Sequence, residues 1–389
     1  MQRKIRMGMI GGGAGAFIGA IHRMALNMDG LIELCCGAFS SNPDRAKDSG
    51  KSLFLPEERV YASFEEMILA ESKMPPDKKI DFISIVTPNH EHFRPAMLAL
   101  ENGFHLFIEK PITYNLIEAL QLREKLKEKK LLLCLAHTYS GYPMVKQARA
   151  MIAENQLGKI RKVVVLYPQG WLSNLSEKEG NAQAAWRTDP SKSGLSGCMG
   201  DIGTHAAQLA EYISGEKISA ICASLNIVVD GRKLDDDGNV LCKFKNGASG
   251  ILMATQIAAG ENNDLSIQVY GEKGGIEWKQ ENPNQLMVKW KDKPVELLFA
   301  GTNFTSHLSS YALHNCRTPA GHPEGYIEAF ANLYRNFALT ISAGLEDKEP
   351  SPEMLDFPGI EEGIRGMAFI ENVVFSSGSS DKWMTHIVP

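Results

Sequence analysis

The chain has 389 residues, a length that predicts two domains rather than one. It is 44% hydrophobic and 22% charged, an ordinary globular composition, and its net charge of −5 gives no general attraction to nucleic acid or to an anionic membrane. No apolar run approaches the roughly 18 residues that a membrane span needs, and the first strand-like run begins close to Met1, which leaves no room for a signal peptide. The seven cysteines are scattered without a C-x-x-C pair, which indicates reduced thiols in a cytoplasmic protein and no metal site.

The chain begins with an apolar run that breaks into glycines and continues as a helix of small residues, over positions 5–22. Gly11, Gly13 and Ala16 fit the G-x-G-x-x-G/A pattern of dinucleotide-binding folds. In that pattern the first glycine makes a tight turn, the second lets the backbone approach a pyrophosphate, and the small third residue packs helix against strand. The pyrophosphate would lie at the positive end of the helix. Glycine-rich turns also occur for purely structural reasons, so this stretch alone decides nothing.

Strand and helix patterns alternate from here to about residue 137. Apolar runs typical of strands occupy 31–39, 80–86, 105–108 and 131–136, the last of which would be a sixth strand, and helical patterns occupy a segment after the capping box at 63–66, then 91–102, and 115–129 with Thr113 as cap. Such alternation predicts an α/β Rossmann domain, a doubly wound parallel sheet, over residues 1–137. Ligands bind at the carboxyl ends of such strands, where Gly11, Ser40, Thr87 and Lys110 lie.

From about residue 143 the pattern changes. A helix (143–155) and a strand (160–168) lead into a loop rich in Ser, Asn and Gly (171–200) and a helix (202–213), and strand-like runs then follow at 218–229, 240–244, 248–256, 265–269, 275–278 and 286–290. Asn246-Gly247 is typical of a two-residue hairpin. Two helices, 326–343 and 359–374, close the chain. These elements predict an α+β C-terminal domain with a largely antiparallel open sheet over residues 138–389.

Two short stretches carry residues suited to chemistry. Glu109-Lys110-Pro111 follows a predicted strand, so Lys110 would point at the cofactor cleft, and the proline allows a cis peptide that would fix its direction. The plainer alternative is a strand-end lysine in solvent. Asp201 and His205 are four residues apart at a predicted helix start and so share a face, where they can orient a hydroxyl and take its proton. The alternative is an N-capping aspartate beside an unrelated histidine.

Together these stretches resemble the Gfo/Idh/MocA oxidoreductase family. The matching pieces are the glycine fingerprint, T-P-N-x-x-H at 87–92, E-K-P at 109–111 and D-x-G-x-H at 201–205. Their order and spacing agree over nearly the whole chain, and the combination is specific although each part is not. Within the family, residues 15–23, 185–190 and 321–326 are similar to a branch of sugar and glycoside dehydrogenases.

The resemblance implies a role for each matching residue. Lys110 would hydrogen-bond the reacting hydroxyl, Asp201 would bind a neighbouring sugar hydroxyl, and His205 would be the general base in oxidation and the general acid in the reverse direction. Lysine rather than histidine as the base is left open. These three side chains are expected to converge over one nicotinamide ring. The implied cofactor set is Gly11, Gly13, Ala14, Ala16, Phe17, Ile18, Ser40, Ser41, Arg45, Thr87, Pro88, Asn89, His92, Glu109 and Lys110.

The choice between NAD and NADP is not decided by the sequence. The acidic residue that usually binds a ribose 2′-hydroxyl is expected at the end of the second strand, but the chain has Ser40-Ser41-Asn42-Pro43-Asp44-Arg45 there. The serines and Arg45 suit the 2′-phosphate of NADP, and they equally suit an NAD ribose with Arg45 stacked on adenine.

Candidate substrate contacts are Tyr139, Trp171, Trp186, Arg187, Asp201, His205 and His322. His137 and Tyr139 follow the predicted sixth strand and are expected to face the same cleft. Aromatic faces pack against the C–H faces of sugar rings, and arginine donates to hydroxyls. We therefore expect an NAD(P)-dependent dehydrogenase of a sugar, glycoside or cyclitol ring hydroxyl, with C3 of a glucose-type ring as the first choice, working as a homodimer or homotetramer. The alternatives are an NAD-dependent glycosidase that uses transient oxidation and elimination, and a non-catalytic sugar- or dinucleotide-sensing regulator. The acidic run 235–237 is interpreted as a hairpin loop and not as a metal site.

Overall fold

The computed structural model describes residues 3–389. The chain forms two compact units, one made of the residues up to 136 together with 330–363, the other of 137–329 with 364–389. The predicted division at 137/138 would place residues 330–363 in the second domain, whereas in the structure they belong to the first unit. Aromatic packing accounts for this, because Tyr334 stacks on Phe107 with ring centroids 4.0 Å apart and Phe337 meets the ring of Phe82 edge-on at 5.3 Å.

The first unit is built on a parallel sheet of five strands in the order β2-β1-β3-β4-β5. Its strands are β1 (Ile5–Gly11), β2 (Ile32–Ala38), β3 (Phe82–Val86), β4 (His105–Ile108) and β5 (Leu133–Leu135), and its first five helices are α1 (Phe17–Asn27), α2 (Pro43–Ser52), α3 (Phe64–Ser72), α4 (Phe93–Glu101) and α5 (Leu116–Lys129). The run at 131–136 is therefore the fifth strand and not the sixth. A single parallel bridge between Gly37 and Val60 is the only other pairing on the β2 side of this sheet within residues 3–389.

Local signals explain where several of these helices begin. Ser63 Oγ accepts the N–H of Glu66 at 3.1 Å, as the predicted capping box requires. Helix α5 is capped by Asn115, whose Oδ1 accepts the N–H of Glu118 at 3.0 Å. The prediction of Thr113 as that cap was wrong, because the Thr113 hydroxyl instead donates to the carbonyl of Asn115.

The second unit is built on a nine-stranded sheet in the order β13-β12-β11-β10-β6-β9-β8-β7-β14, antiparallel except for the pair β6–β9. Its strands are β6 (Ile160–Pro168), β7 (Ile218–Asn226), β8 (Asp237–Phe244), β9 (Ser249–Thr255), β10 (Ser266–Gly271), β11 (Gly274–Lys279), β12 (Gln285–Trp290), β13 (Glu296–Phe299) and β14 (Met384–Thr385). The predicted hairpin joins β8 to β9, but its loop has three residues, 245–247, and not two. The N–H of Phe244 donates to the carbonyl of Ala248 at 2.9 Å, and Gly247 has a φ of +91°. Strands β13 and β14 were not predicted.

Helices complete the second unit and the end of the chain: α6 (Pro143–Ala153), α7 (Ala182–Arg187), α8 (Pro190–Ser193), α9 (Thr204–Ser214), α10 (Ser310–His314), α11 (Tyr326–Leu345) and α12 (Ile360–Gly378). Helices α6 and α9 pack their apolar faces against the sheet through buried residues such as Val145, Leu209, Val163 and Val165. This packing fixes the start of α9, which carries His205. Within residues 3–389 no helix is both long and apolar enough to cross a membrane.

Candidate active site

The glycine loop after β1 has a left-handed backbone at three positions. Gly11, Gly12 and Gly15 have φ values of +77°, +68° and +84°, which favour glycine. A Cβ on Gly15 would meet nothing nearer than a nitrogen of Arg45 at 3.9 Å, so space beside the loop stays open. Helix α1 then begins with no side-chain cap and no acidic residue in its first turn. An open glycine cradle at the positive end of a helix fits a dinucleotide pyrophosphate.

Two glycines of this region are required by close packing, and one of them replaces a residue predicted from the sequence. A Cβ on Gly19 would lie 2.3 Å from the carbonyl oxygen of Gly12, so the close packing of helix on turn falls to Gly19 and not to Ala16, which is the N-cap of α1. A Cβ on Gly13 would lie 2.8 Å from the carbonyl oxygen of Phe39, so the protein itself already requires glycine there. Phe17 and Ile18 form the first turn of α1, and Phe17 is largely exposed.

The segment after β2 lies beside this loop. Ser40 Oγ accepts the N–H of Asn42 at 3.2 Å, and Asn42 caps helix α2. Arg45, in the first turn of α2, donates from Nη2 to the carbonyl of Ala14 at 3.1 Å, while Ser41 is exposed. The segment directly after β2 thus carries hydroxyl groups, and the first turn of α2 carries the guanidinium of Arg45 next to the carboxylate of Asp44.

The turn after β3 is held by His92. Its Nε2 lies 2.8 Å from the carbonyl oxygen of Thr87 and its Nδ1 lies 2.9 Å from that of Pro111. Burial lowers the pKa of His92, although both carbonyl contacts oppose that change. Pro88 is exposed and Asn89 is buried. Because both ring nitrogens of His92 face main-chain carbonyls, its contribution is to hold the two loops together.

Glu109 and Lys110 follow β4, and the Lys110–Pro111 peptide is cis. Glu109 Oε2 accepts the N–H of Lys110 at 3.0 Å, and its Oε1 lies 3.0 Å from His22 Nε2. The other nitrogen of His22 lies 2.6 Å from the hydroxyl of Tyr334. Burial raises the pKa of Glu109, but the hydrogen bond and charge of His22, with the charge of Lys110, outweigh it and hold that pKa below its usual value. The carboxylate is thus ionised and fixed beside Lys110.

In the second unit, Asp201 and His205 lie at the start of α9, as predicted. The chain enters this helix through a π-helical turn, Met199–Gly203, and Thr204 begins the α-helix. Such turns recur at functional sites. Asp201 therefore lies in the turn and His205 in the first α-helical residues.

The carboxylate of Asp235 accepts hydrogen bonds from the backbone at the start of this turn. Its Oδ1 accepts the N–H of Gly197 at 2.9 Å and its Oδ2 accepts that of Met199 at 2.9 Å, while Ser196 Oγ donates to both oxygens. Burial raises the pKa of Asp235 despite these bonds. Asp235 and Asp236 thus lie in the loop between β7 and β8, as predicted, and bond backbone N–H groups, whereas Asp237 is already the first residue of β8.

Asp201 is bonded to two side chains. Its Oδ2 accepts from Arg187 Nε at 3.2 Å and from Gln256 Nε2 at 3.0 Å. The Arg187 guanidinium lies 4.2 Å from the ring centre of Trp186 and 5.9 Å from that of Trp171. The structure therefore brings together four of the predicted substrate residues, and the arginine and aspartate charges offset each other.

His205 lies in a group of aromatic and amide side chains. Its Nδ1 is 3.3 Å from His137 Nδ1, and the ring of Tyr139 meets its face edge-on at 4.9 Å. The Tyr139 hydroxyl is hydrogen-bonded to that of Tyr167 and accepts from Asn263 Nδ2 at 3.2 Å. Burial raises the pKa of Tyr139, which keeps the phenol neutral. The group offers neutral hydroxyl and amide groups around a buried imidazole.

His322 is placed apart from these groups. It lies in an exposed turn, its Nδ1 is 3.3 Å from the carbonyl oxygen of Pro319, and its own carbonyl accepts from the Thr318 hydroxyl. Among residues 3–389 it makes no hydrogen bond or ring contact with Asp201 or His205, so its role as a substrate contact stays a prediction. The expected convergence of Lys110 with Asp201 and His205 joins residues of different units and also stays a prediction.

His137 was expected to face the cleft together with Tyr139, and it lies beside His205. The structure also brings into these groups four residues to which the sequence assigned no role: His22, Tyr167, Asn263 and Gln256. The signal for His137 was its position just after β5, in front of the turn that carries Tyr139. The other four had no such signal. His22, Gln256 and Asn263 reach their partners across 55 or more residues of chain. Tyr167 lies in strand β6, where its position is typical of an ordinary core residue.

Two family models match the chain. A model of the oxidoreductase family with an NAD-binding Rossmann fold matches residues 5–137, and one of the GFO/IDH/MocA C-terminal domain matches residues 145–277. The glycine loop, Lys110, Asp201 and His205 all fall within these two ranges.

Complete chains are similar as well. The uncharacterised oxidoreductase YfiI of Bacillus subtilis is 32% identical over 387 residues, covering 99% of this chain and 97% of its own. Levoglucosan dehydrogenase of Pseudarthrobacter phenanthrenivorans is 26% identical over 413 residues, covering 98% of each chain. The crystal structure of an inositol dehydrogenase homologue from Azotobacter vinelandii, complexed with NAD+, superposes with a TM-score of 0.93 at 33% identity, covering 99% of this chain and 98% of that one. The chain therefore belongs to the Gfo/Idh/MocA family of oxidoreductases, and its first unit is an NAD-binding Rossmann domain.

Proposed function

We propose that this protein is an NAD(P)-dependent dehydrogenase that oxidises a ring hydroxyl of a sugar, glycoside or cyclitol and reduces the ketone in the reverse direction. The observation that carries the proposal is the buried His205, held by His137 and Tyr139 one helical turn from the bonded carboxylate of Asp201. Such a group can accept a proton from an alcohol and orient a neighbouring hydroxyl. Levoglucosan dehydrogenase and the inositol dehydrogenase homologue support the substrate class.

Oxidation of an alcohol removes a hydride and a proton. The nicotinamide cofactor, when bound, supplies the hydride acceptor, so this chain has to supply the proton acceptor. In the proposal His205 accepts the proton, and Lys110 donates a hydrogen bond to the same oxygen and stabilises its negative charge as the proton leaves. The fixed carboxylate of Glu109, which accepts the N–H of Lys110, supports a rigid backbone at that lysine.

The second unit favours an uncharged substrate. Arg187 is the positive group beside Asp201, and its charge is offset by that carboxylate at 3.2 Å. Trp171 and Trp186 flank the same guanidinium and offer faces for the C–H groups of a ring. We propose that Asp201 orients the ring through a hydroxyl next to the reacting one, with the tryptophans packing against it.

NAD is the proposed working cofactor. The NAD-binding family model and the NAD+ complex of the Azotobacter vinelandii homologue support it. Ser40, Ser41 and Arg45 leave NADP as the second outcome of the test, because the end of β2 carries serines in place of the acidic residue usual in NAD-binding folds.

We also propose a homo-oligomer that works in the cytoplasm. Leu241, Leu297 and Phe299 are exposed on the open face of the nine-stranded sheet, as expected of a face that another copy covers. The seven cysteines are free thiols, which supports a reducing compartment. Light scattering coupled to gel filtration tests the assembly, and a monomer at micromolar concentration would contradict it.

The experiment is a panel of neutral sugars, glycosides and cyclitols, with matching sugar phosphates, each assayed with NAD and with NADP at 340 nm. We expect reduction of cofactor with at least one neutral ring polyol and a preference for the neutral compound over its phosphate. Release of aglycone from a glycoside without net reduction would identify the glycosidase alternative. Binding of a sugar without turnover under any condition would identify the sensor.

A further inference from the structure

His137 lies against the proposed base in a specific way. Its Nδ1 and the Nδ1 of His205 are 3.3 Å apart, and the two rings are nearly perpendicular, with centroids 5.2 Å apart. Both side chains are buried. The backbone of His137 is fixed as well, because its carbonyl accepts the Ser140 hydroxyl at 2.8 Å in the turn that follows. Two imidazoles therefore meet through the same type of nitrogen with little freedom to turn away.

This contact restricts the protonation of both rings. A hydrogen bond between two Nδ1 atoms needs one proton, so one ring donates from Nδ1 while the other accepts there. The accepting ring, when neutral, carries its proton on Nε2, and the donating ring, when neutral, has an unprotonated Nε2. Two imidazolium rings cannot face each other in this way, because two N–H groups and two positive charges would meet.

We propose that His137 is the second member of a histidine pair: its Nδ1 accepts the Nδ1 proton of His205 and thereby holds His205 in the tautomer whose Nε2 takes the substrate proton. This inference rests on the proposed role of His205. When His205 Nε2 gains the hydroxyl proton, the proton on its Nδ1 passes to Nδ1 of His137. The positive charge then lies on His137, and His205 is neutral with its proton on Nε2. One proton enters the pair: the substrate O–H bond and the Nδ1–H bond of His205 break, and N–H bonds form at His205 Nε2 and at His137 Nδ1.

Several titratable groups have to be considered beside the pair, including Lys110, which the proposed function places at the same substrate oxygen. Tyr139 meets the face of His205 and is neutral, since burial raises its pKa, and the same holds for Tyr167 beyond it. Asp201 in the preceding turn is bonded to Arg187. Lys146, on the neighbouring helix α6, is directed at Tyr212, two turns further along α9. In the proposal, a proton gained at His205 Nε2 leads to transfer along the Nδ1–Nδ1 contact to His137.

Nitrogen-15 NMR of the cofactor-free protein with labelled histidines tests the pairing without any turnover. Spectra of His137→Gln and His205→Gln assign the two rings. In the wild type we expect neutral His205 with its proton on Nδ1, neutral His137 with its proton on Nε2, and uptake of one proton by the pair with a common apparent pKa. His137→Phe should turn His205 into a tautomer mixture. A wild-type His205 that carries its proton on Nε2, or two rings that each gain a full proton independently, would overturn the proposal.

Kinetics then separates positioning from relay. His137→Phe should lower kcat about 10- to 100-fold and move the acid limb of the kcat/KM profile to lower pH, because the acceptor that favours charged His205 is gone. His137→Gln keeps an acceptor oxygen but takes no proton, so it should restore the acid limb and not kcat. His386→Phe, a buried histidine of the same unit beside Phe369, is the matched control and should change neither.

The possible failures are distinguishable. Full turnover in His205→Gln would show that His205 is not the base, which contradicts the proposed function. The NMR spectra would still show whether His137 and His205 share a proton. Loss of turnover in His205→Gln together with wild-type kcat and pH profile in both His137 variants would overturn this inference alone. Thermal unfolding of each variant shows whether lost activity comes from lost folding.

Discussion

His22 Nε2 lies 3.0 Å from Glu109 Oε1, and Nδ1 of the same ring lies 2.6 Å from the hydroxyl of Tyr334. Ser84 Oγ extends this chain of bonds, 3.0 Å from that hydroxyl. The network links the glycine-loop helix α1 to the end of β4. Glu109 also accepts the backbone N–H of Lys110. This network of buried side chains therefore holds the backbone of the proposed catalytic lysine in place.

Replacing His22 with phenylalanine should destabilise the protein in a pH-dependent way. At pH 7 the variant should lose about 1–3 kcal/mol of unfolding free energy, because the buried carboxylate of Glu109 loses its partner. The folded-state pKa of Glu109 lies below its ordinary value, so its stabilisation is present above the unfolded-state pKa of about 4.3 and is lost as pH falls through the folded-state pKa. The difference between wild type and variant should therefore shrink in acid.

Urea unfolding at pH 7 and at pH 4 measures this difference. Tyr334→Phe is the control, since it removes a hydroxyl from the same network and leaves the Glu109 contact in place. An equal difference at both pH values would show that His22 stabilises by packing alone.

Local signals explain which features could be predicted from the sequence. The glycine loop, the Ser63 capping box and the Asn246-Gly247 hairpin each depend on residues within a few positions of one another, and the structure has all three. The sheet classes followed from the alternation of strands and helices before residue 137 and its absence afterwards.

Contacts distant in sequence explain what could not. Gly19 was missed as the packing glycine because its partner is the backbone of Gly12, and any small residue nearby fits the pattern equally well. Residues 330–363 belong to the first unit because aromatic residues of α11 pack on its sheet. In the sequence those residues look like the apolar face of any amphipathic helix, so this packing could not be predicted. The bond between Arg187 and Asp201 shows that two predicted substrate residues bind each other, which spacing does not reveal.

Lys110→Ala and His205→Ala should each lower kcat by roughly 10²–10⁴-fold, the usual range for lost acid–base and charge-stabilising groups. Affinity for NADH, measured by fluorescence titration, should be nearly kept. Lys127→Ala, on the exposed side of α5, is the control lysine. If the two residues act on one oxygen, the double variant should be less impaired than the product of the single effects. Unchanged turnover in both single variants would remove them from the mechanism.

Ser40→Asp should favour NAD over NADP. A carboxylate at the end of β2 accepts from the ribose hydroxyls of NAD and repels a 2′-phosphate, whereas Arg45 and the serines permit either. We expect kcat/KM with NADP to fall about 100-fold and that with NAD to change less than about threefold, on the scale of one charge pair at close range. Asparagine has nearly the same shape as aspartate but no charge, so Ser40→Asn should leave the ratio of kcat/KM with NAD to that with NADP near the wild-type value. An equal loss with both cofactors would mean that residue 40 does not approach the ribose.

Asp235→Asn should impair the sugar side of the reaction and spare the cofactor side. Each oxygen of Asp235 accepts a backbone N–H, from Gly197 and from Met199, and an amide nitrogen in place of one oxygen would face such a donor. The lost bond should cost about 1–3 kcal/mol of unfolding free energy. Because the same turn carries Asp201, a shift of it by about 1 Å should lower kcat/KM for the sugar up to about 100-fold, with KM for NAD unchanged.

Asp237→Asn is the matched control for that variant. Asp237 opens β8 and its Oδ2 accepts from the side chain of Asn226 on the neighbouring strand, so it lies in the same acidic run without a bond to the turn. A similar loss of kcat/KM in both variants, or a loss in Asp235→Asn that falls equally on the KM values of sugar and cofactor, would show that Asp235 supports the unit in general. A loss confined to the sugar in Asp235→Asn alone ties the carboxylate to the geometry of Asp201.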